Sequence, residues 1–360
     1  MNRKIIDLIK MLSLAIILIG IAIVYKKHNN ENKGDCVYQT VYDFAMGTSV
    51  QVTVYGNKDK DFKLEDIVNE IQKLDEEVIS WRSKKSELYK LNHEYVVDEP
   101  YYISNELMKP LMDSTVLSQD SFGALDLTIR PLAMLWNIEE ATEDNFVVPD
   151  DSEIKETLKK VGYNDVDVVM NEHDNYVVFD KDNMMLDLGS TGKGYALDVA
   201  FNILKEHNIK GAMISVGGSI LIYGEKTGGG TENETWKVGI RDPNGGQEDM
   251  LGYLEYPCEE GFSKYISTSG SYEKYIDKDG VRYHHIFDGS TGYPSSSGLS
   301  GVTVVCDNGL NSDGLSTACF VLGYEKSIDL LKHYNAEAVF IDEDGNVTIT
   351  DGLKEFYKER

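Results

Sequence analysis

Two spacings of apolar residues run through this chain. VYQTVYDFAMGTSVQVTVYG alternates apolar and polar positions, which predicts two strands broken at Met46-Gly47-Thr48. In LEDIVNEIQKLDEEVISW, residues Ile67, Ile71, Leu74 and Val78 recur at helical spacing and predict an amphipathic helix. SELYKLN predicts a second short turn, and SNELMKPLMDSTVLSQDS a helix. DDSEIKETLKKVG predicts another, with Asp151 or Ser152 as its cap. VDVVMNEHDNYVVFDKDNMMLDLG reads as a strand hairpin, GYALDVAFNILKEHN as a helix, and GAMISVGGSILIYG as a glycine-interrupted strand. WKVGIRDP, YISTSGSYEKYI and GVTVVCD are strand-like. SDGLSTACFVLG and YEKSIDLLKHYN predict helices, AEAVFIDEDGNVTITDG a closing hairpin, and TGGGTENET an exposed loop. Hairpins mixed with helices, rather than strict strand–helix alternation, predict an α+β fold of mixed or antiparallel sheets with packed helices. No internal repeat stands out.

The pattern changes at the N-terminus. Met11 to Tyr25 carries no charge, with Arg3, Lys4 and Lys10 before it and Lys26 and Lys27 after it. Counted from Ile5, the segment is about the ~20 residues that a helix needs to cross a bilayer. No small-x-small cleavage site follows it, so residues 1–27 are read as one retained N-terminal transmembrane helix rather than a cleaved signal. Residues 28–38 are then a polar linker, and 39–360 a single domain. The expected location is the cell membrane, single-pass, with the domain outside the cytoplasm. Basic residues on both flanks give the positive-inside argument little weight.

Charge narrows the partners. The chain has 360 residues, 41% of them hydrophobic, which suffices for a sizeable core. Its net charge of −26 and lack of a dense Lys/Arg run in the body argue against nucleic-acid binding. A small phosphorylated ligand stays open, because a metal ion neutralises phosphate locally. Cys36, Cys258, Cys306 and Cys319 form no CxxC pair, so buried free thiols are expected rather than a zinc or redox site.

Five stretches carry candidate chemistry, each with a plainer reading. LDLGSTGKGYALD (186–198) sets three glycines, two hydroxyls and Lys193 before a helix, where backbone N–H groups suit a phosphate. Its spacing is not that of a P-loop, and a tight strand-to-helix connection explains it equally. NSDGLSTACFVLG (311–323) puts Asp313 and Thr317 on one helix face as hard oxygen donors for Mg²⁺. Read alone, Asp313 is simply an N-cap. FGALDLTIRPLAMLW (122–136) reads alone as a strand end and a core helix. GFSKYISTSGSYEKY suggests either a backbone approached by ligand or an edge strand. YHHIFDGSTGYP (283–294), read alone, is a turn that carries histidine.

In this order the stretches resemble the ApbE family, the FAD:protein FMN transferases. The resemblance covers nearly everything after the linker. It rests on MGTSV (46–50), WRSKKSELYKLN (81–92), GALDLTIRPLAMLW (123–136), LDLGSTGKGYALD (186–198), SVGGSI (215–220), WKVGIRDP (236–243), ISTSGSYEKY (266–275), HHIFDGSTGYP (284–294) and VTVVCDNGLNSDGLSTACFVLG (302–323).

The resemblance implies FAD as substrate and Mg²⁺ or a similar cation. The FAD pyrophosphate is split, AMP leaves, and FMN is placed on a threonine of a target flavoprotein, typically a subunit of a membrane redox complex. It also implies roles. Asp313 and Thr317 match the metal ligands, and Ser190 a further metal contact. Asp187 and Lys193 match FAD-contacting positions, and Met46, Trp81, Ala124, Leu125, Asp126 and Ile266 match others. Trp81 can stack on a flat heterocycle. His285 aligns with the candidate base for the threonine hydroxyl. Asp288 either orients His285 or lines the turn, and His284 points to the other strand face. Two departures stand out: Gly289 where the family commonly has proline, and Ser190-Thr191-Gly192 where it has Gly-Ile-Ala. An FAD pyrophosphatase and a non-catalytic flavin-binding protein are the alternatives.

Overall fold

The computed structural model describes residues 38–360 apart from 57, 58, 60, 173, 227–233 and 247. The expected membrane helix, the linker up to residue 37 and most of the TGGGTENET loop lie outside the described residues. Among the described residues, no helix is long and apolar enough to cross a membrane.

An antiparallel sheet of eight strands forms the frame, in the order β1-β2-β6-β7-β10-β13-β14-β15. These are β1 (Tyr38–Ala45), β2 (Thr48–Tyr55), β6 (Gly211–Val216), β7 (Ser219–Gly224), β10 (Ser263–Gly270), β13 (Leu299–Cys306), β14 (Glu337–Asp342) and β15 (Val347–Ile349). β3 (Tyr101–Tyr102), β4 (Val166–Met170) and β5 (Asn175–Phe179) make a small sheet. A second joins β8 (Thr235–Arg241), β9 (Met250–Pro257) and β16 (Tyr357–Glu359), and β11 (Tyr275–Lys278) pairs with β12 (Val281–His284). The helices are α1 (Leu64–Lys73), α2 (Glu87–Glu94), α3 (Asn105–Asp120), α4 (Arg130–Trp136), α5 (Asp151–Leu158), α6 (Gly192–Glu206), α7 (Gly309–Leu322) and α8 (Tyr324–His333). The α+β expectation holds, with antiparallel pairing throughout.

Alternation along the strands decides where each face goes. On β10, Tyr265 packs with the core beneath α1 and α6, whereas Ile266 packs with Trp236, Val238 and Leu254 of the β8–β9 ribbon on the opposite face. GAMISVGGSILIYG is two strands rather than one, turning at Gly217, whose φ of 57° is left-handed. The cap of α5 is Asp150, in a capping box with Glu153, one residue earlier than the pattern predicts. Asn308 caps α7, its side chain accepting from the Asn311 amide at 2.8 Å. Asp313 therefore lies inside the helix, 2% exposed, and is no N-cap.

The topology contains a repeat that the residues do not show. β1-β2-α6-β6-β7 and β10-β13-α7-β14-β15 follow one plan: two strands, a helix, then two strands in the same sheet order. The two helices lock at matched positions, Gly194–Asp198 and Gly309–Asp313. The Gly194 N–H donates to Asp313 Oδ2 at 3.0 Å, and the Gly309 N–H to Asp198 Oδ1 at 2.8 Å. Each carboxylate thus sits at the positive N-terminus of the other helix. A Cβ on Gly194 would stand 2.0 Å from the Gly309 carbonyl oxygen, so the approach demands glycine. Gly194→Ala is expected to cost about 3 kcal/mol by overpacking, read from denaturant midpoints. A loss under about 1 kcal/mol contradicts the close approach.

Candidate active site

The lock fixes a turn that carries charge. Leu188 O accepts the Thr191 and Gly192 amides at 3.1 and 2.7 Å and opens α6. Asp187 Oδ1 accepts the Gly189 N–H at 2.7 Å, and the Asp187 amide donates to Leu127 O at 2.8 Å. Lys193 Nζ donates to Gly189 O at 3.2 Å and lies 3.4 Å from Asp313 Oδ1. Ser219 Oγ donates to the same oxygen at 3.1 Å. One turn along α7, Thr317 Oγ1 is 3.1 Å from Ser269 Oγ on β10. Asp187, Lys193, Asp313 and Thr317 are thus linked around the N-terminus of α6, and Ser190 lies in the turn that opens that helix.

This donor set suits a hard cation. Asp313 is a nearly enclosed carboxylate, and a cation beside it offsets the cost of burying its charge. Thr317 adds a hydroxyl from the same helix face, and Ser190, in the turn that opens α6, has a backbone oxygen and a hydroxyl to offer. Mg²⁺ takes few protein oxygens and fills its shell with water and phosphate, so two or three such groups are enough.

The second half is built around His285, just past β12. Its Nδ1 lies 3.2 Å from Lys274 O, and its backbone N–H donates to the same carbonyl at 3.1 Å. A carbonyl only accepts, so the ring proton is on Nδ1 and Nε2 keeps its lone pair. Burial, helped by the Lys274 ammonium, pushes the His285 pKa down to about 4. His284 is separate: it is buried, 3.0 Å from Ser295 O, with its ring edge-on to Phe320. The segment from Ser269, which touches Thr317, to Lys274, which holds His285, joins the two parts.

Asp288 lines its turn and does not orient His285. Its Oδ1 accepts the Ser290 amide at 2.8 Å and the Ser290 hydroxyl at 2.6 Å, closing DGSTG. Gly289 in that turn faces Asp126, where a Cβ would make ordinary contacts of 3.6–3.8 Å. Its φ is outside the left-handed region, so the family's proline is not replaced here for backbone reasons. Gly289→Ala is expected to retain activity and add about 0.5 kcal/mol of stability in a denaturant melt.

The remaining positions divide. Asp126 ties its loop to the segment after α5, accepting from the Thr128 amide at 2.8 Å and the Tyr163 amide at 3.1 Å. Ala124 is half-buried beside it. Met46, with a left-handed φ of 54°, donates its N–H to Asp75 Oδ2 at 2.8 Å and brings its methyl against Gly192. The Leu125 and Ile266 side chains are core, not site lining: Leu125 packs beside Gly314, and Ile266 takes the sheet face away from α7. Trp81 already has ring partners. The Arg130 and Arg82 guanidinium carbons lie 3.1 and 4.0 Å from its ring centroid. Arg82 and Lys274 both bond Glu139, at 2.5 and 2.7 Å. Burial pushes the Glu139 carboxyl up, but Lys274 and Arg82 outweigh it and leave it below its usual range.

Sequence reasoning missed Ser219 and Ser269, although both lie in quoted serine-rich stretches. It missed Arg82, Arg130 and Glu139 as well. The available signal was Arg130, a cation set within an otherwise apolar run.

The fold is that of a known class. Residues 46–340 match the sequence profile of the ApbE family, and the chain belongs to that family. It is 32% identical over 323 residues to the FAD:protein FMN transferase of Treponema pallidum, covering 86% of each chain. It is 31% identical to that of Vibrio cholerae, covering 80% of this chain and 81% of the other. Among solved structures, it resembles the ApbE protein of Thermotoga maritima at 30% identity, with a TM-score of 0.77 over 90% of this chain and all of that one. The flavin transferase ApbE from Vibrio cholerae superposes with a TM-score of 0.75 at 25% identity, over 89% and 99% of the two chains.

Proposed function

We propose that this enzyme transfers FMN from FAD to a threonine hydroxyl of a target flavoprotein and releases AMP. The observation that carries the reading is the enclosed Asp313 carboxylate, held inside α7 beside Lys193 and the α6 N-terminus. That is an arrangement for a phosphorylated ligand with a hard cation. A Mg²⁺ held by Asp313, Thr317 and Ser190 would neutralise charge on the phosphoryl oxygens.

The protein's own groups do the rest. Lys193, at the positive end of α6, binds and orients the pyrophosphate. His285 Nε2 takes the proton from the acceptor hydroxyl, whose oxygen bonds to the FMN phosphorus. The bond from that phosphorus to the AMP phosphate oxygen breaks, and AMP carries away the electron pair. Lys274 O keeps the proton on Nδ1, so His285 enters each cycle with Nε2 free.

The test incubates the protein with FAD, Mg²⁺ and a candidate acceptor, and reads AMP by chromatography and acceptor mass by mass spectrometry. An acceptor heavier by FMN less water, on threonine, supports transfer. Free FMN without acceptor indicates a pyrophosphatase, and bound FAD without AMP a flavin-binding protein. The acceptor that fits is a flavin subunit of a membrane redox complex. The uncharged stretch from Met11 to Tyr25 supports a single-pass anchor, and the proposed side for the domain is outside the cytoplasm. Protease added to intact cells should then digest the domain, and full protection would overturn that placement.

A further inference from the structure

Arg130 opens α4 with a side chain only 11% exposed. The nearest carboxylate oxygen, Asp187 Oδ2, is 3.7 Å away, beyond hydrogen-bond reach. Among the described residues, its guanidinium donates no hydrogen bond and lies over Trp81 instead. A guanidinium offers five donors in a fixed fork, and taking it out of water unmatched is costly. Burial pulls its pKa down against the carboxylates of Asp187 and Glu139. Its nitrogens are not sealed off: the one fully enclosed side-chain nitrogen without a partner among the described residues is Arg241 Nε.

The surroundings say what would use those donors. Asp187 Oδ1 holds the Gly189 N–H, Gly189 O holds Lys193 Nζ, and Lys193 pairs with Asp313. Arg130 and Lys193 therefore both approach the turn that opens α6, one at Asp187 and the other at Gly189. Acidic residues outnumber basic ones 61 to 35 in this chain, yet Arg82, Arg130, Lys193 and Lys274 collect around this site. A single phosphate needs one cation beside the turn, whereas a pyrophosphate has two phosphates to match two.

We propose that Arg130 is a second cationic grip on the FAD pyrophosphate, its fork donating to one phosphate while Lys193 serves the other. This rests on the reading of FAD as substrate. When the bridging bond breaks, charge grows on the phosphate oxygens, and charged hydrogen bonds to them strengthen. Arg130 is then a catalytic residue beyond those the family resemblance indicates.

The test is calorimetric and omits any divalent cation, with EDTA present. AMP is compared with adenosine, and FMN with riboflavin. The wild type is expected to prefer the phosphorylated member of each pair. In Arg130→Gln, one of the two preferences falls by about tenfold or more, as loss of a charged hydrogen bond implies, while binding of adenosine or riboflavin is unchanged. Loss of the AMP preference assigns Arg130 to the leaving phosphate, and loss of the FMN preference to the transferred one. Both preferences intact in the folded variant, or no preference in the wild type, overturns the proposal. A wild type that binds none of the four ligands sinks the flavin reading itself. Should the variant fail to fold, a crystal structure of the wild type with FAD decides. An Arg130 nitrogen about 3 Å from a phosphate oxygen supports the grip. A guanidinium still on Trp81 without phosphate contact overturns it.

Discussion

Asp313→Asn is expected to lower AMP release from FAD at least about a thousandfold, which is roughly 4 kcal/mol of transition-state stabilisation. The substitution keeps the shape and removes the charge. In the native protein, Oδ2 accepts the Gly194 amide and Oδ1 faces both Ser219 and Lys193. An asparagine has one acceptor oxygen and one NH₂, so either the Gly194 N–H or the Ser219–Lys193 side meets a donor. A buried donor left unmatched costs about 1–3 kcal/mol, so a lower denaturant midpoint should accompany the loss. The two effects separate by titrating Mg²⁺ on the folded variant. Loss of a cation ligand raises the Mg²⁺ requirement, whereas mere destabilisation does not. An asparagine variant within tenfold of wild-type activity at ordinary Mg²⁺ would sink the assignment.

The two halves of the fold make Asp313 easier to interpret. Asp198 is its counterpart on α6, though only partly buried. Both Asp198 oxygens are taken by amides of α7, Gly309 at 2.8 Å and Leu310 at 2.9 Å. The Tyr265 hydroxyl adds a further bond to Asp198. Three donors thus hold that carboxylate, two of them from the facing helix. Asp313 spends only one oxygen on the facing helix and turns the other to Lys193 and Ser219. One half uses both carboxylate oxygens to hold the helices together, and the other uses one and turns the second to the Lys193 and Ser219 side chains.

What could be read from the sequence follows from what is local. The alternating β1–β2 pair, the periodic α1 and α6, and the i,i+4 spacing of Asp313 and Thr317 depend on near neighbours along the chain, and each was legible. The repeat was not, because it lies in strand order and in two glycine–aspartate contacts between helices over 100 residues apart. The direction of the Ile266 side chain was hidden for a related reason. Its stretch signals a site, but which strand face meets α7 depends on register, and the serines at 267 and 269 take that face. β16 is only three residues long, too short for an alternating pattern to show, and it pairs with β9, far back in the chain. Trp81 looked open for stacking because nothing in the sequence places Arg130, almost fifty residues later, over its ring.

His285→Ala is expected to lower transfer by about 10²–10⁴-fold, the range for loss of a general base. Added imidazole should restore part of the activity. The pH profile tests the same residue without removing it. Burial and then Lys274 hold its pKa near 4, below the ordinary 6.5, so Nε2 is already unprotonated at neutral pH. The acid limb of kcat/KM in the wild type should therefore lie well below 6.5. The sign for stability is the same. A histidine whose folded pKa is depressed contributes stability that is fully present above about 6.5 and is lost as pH falls through about 4. Lys274→Met removes the nearby ammonium but keeps the backbone carbonyl that sets the tautomer. It also leaves Glu139 with one cation fewer, and both changes favour the protonated ring. The acid limb should then move to higher pH while the plateau above pH 8 changes little. A limb that stays in place in Lys274→Met, or an alanine variant at 285 within tenfold of wild type, removes His285 from the proton transfer.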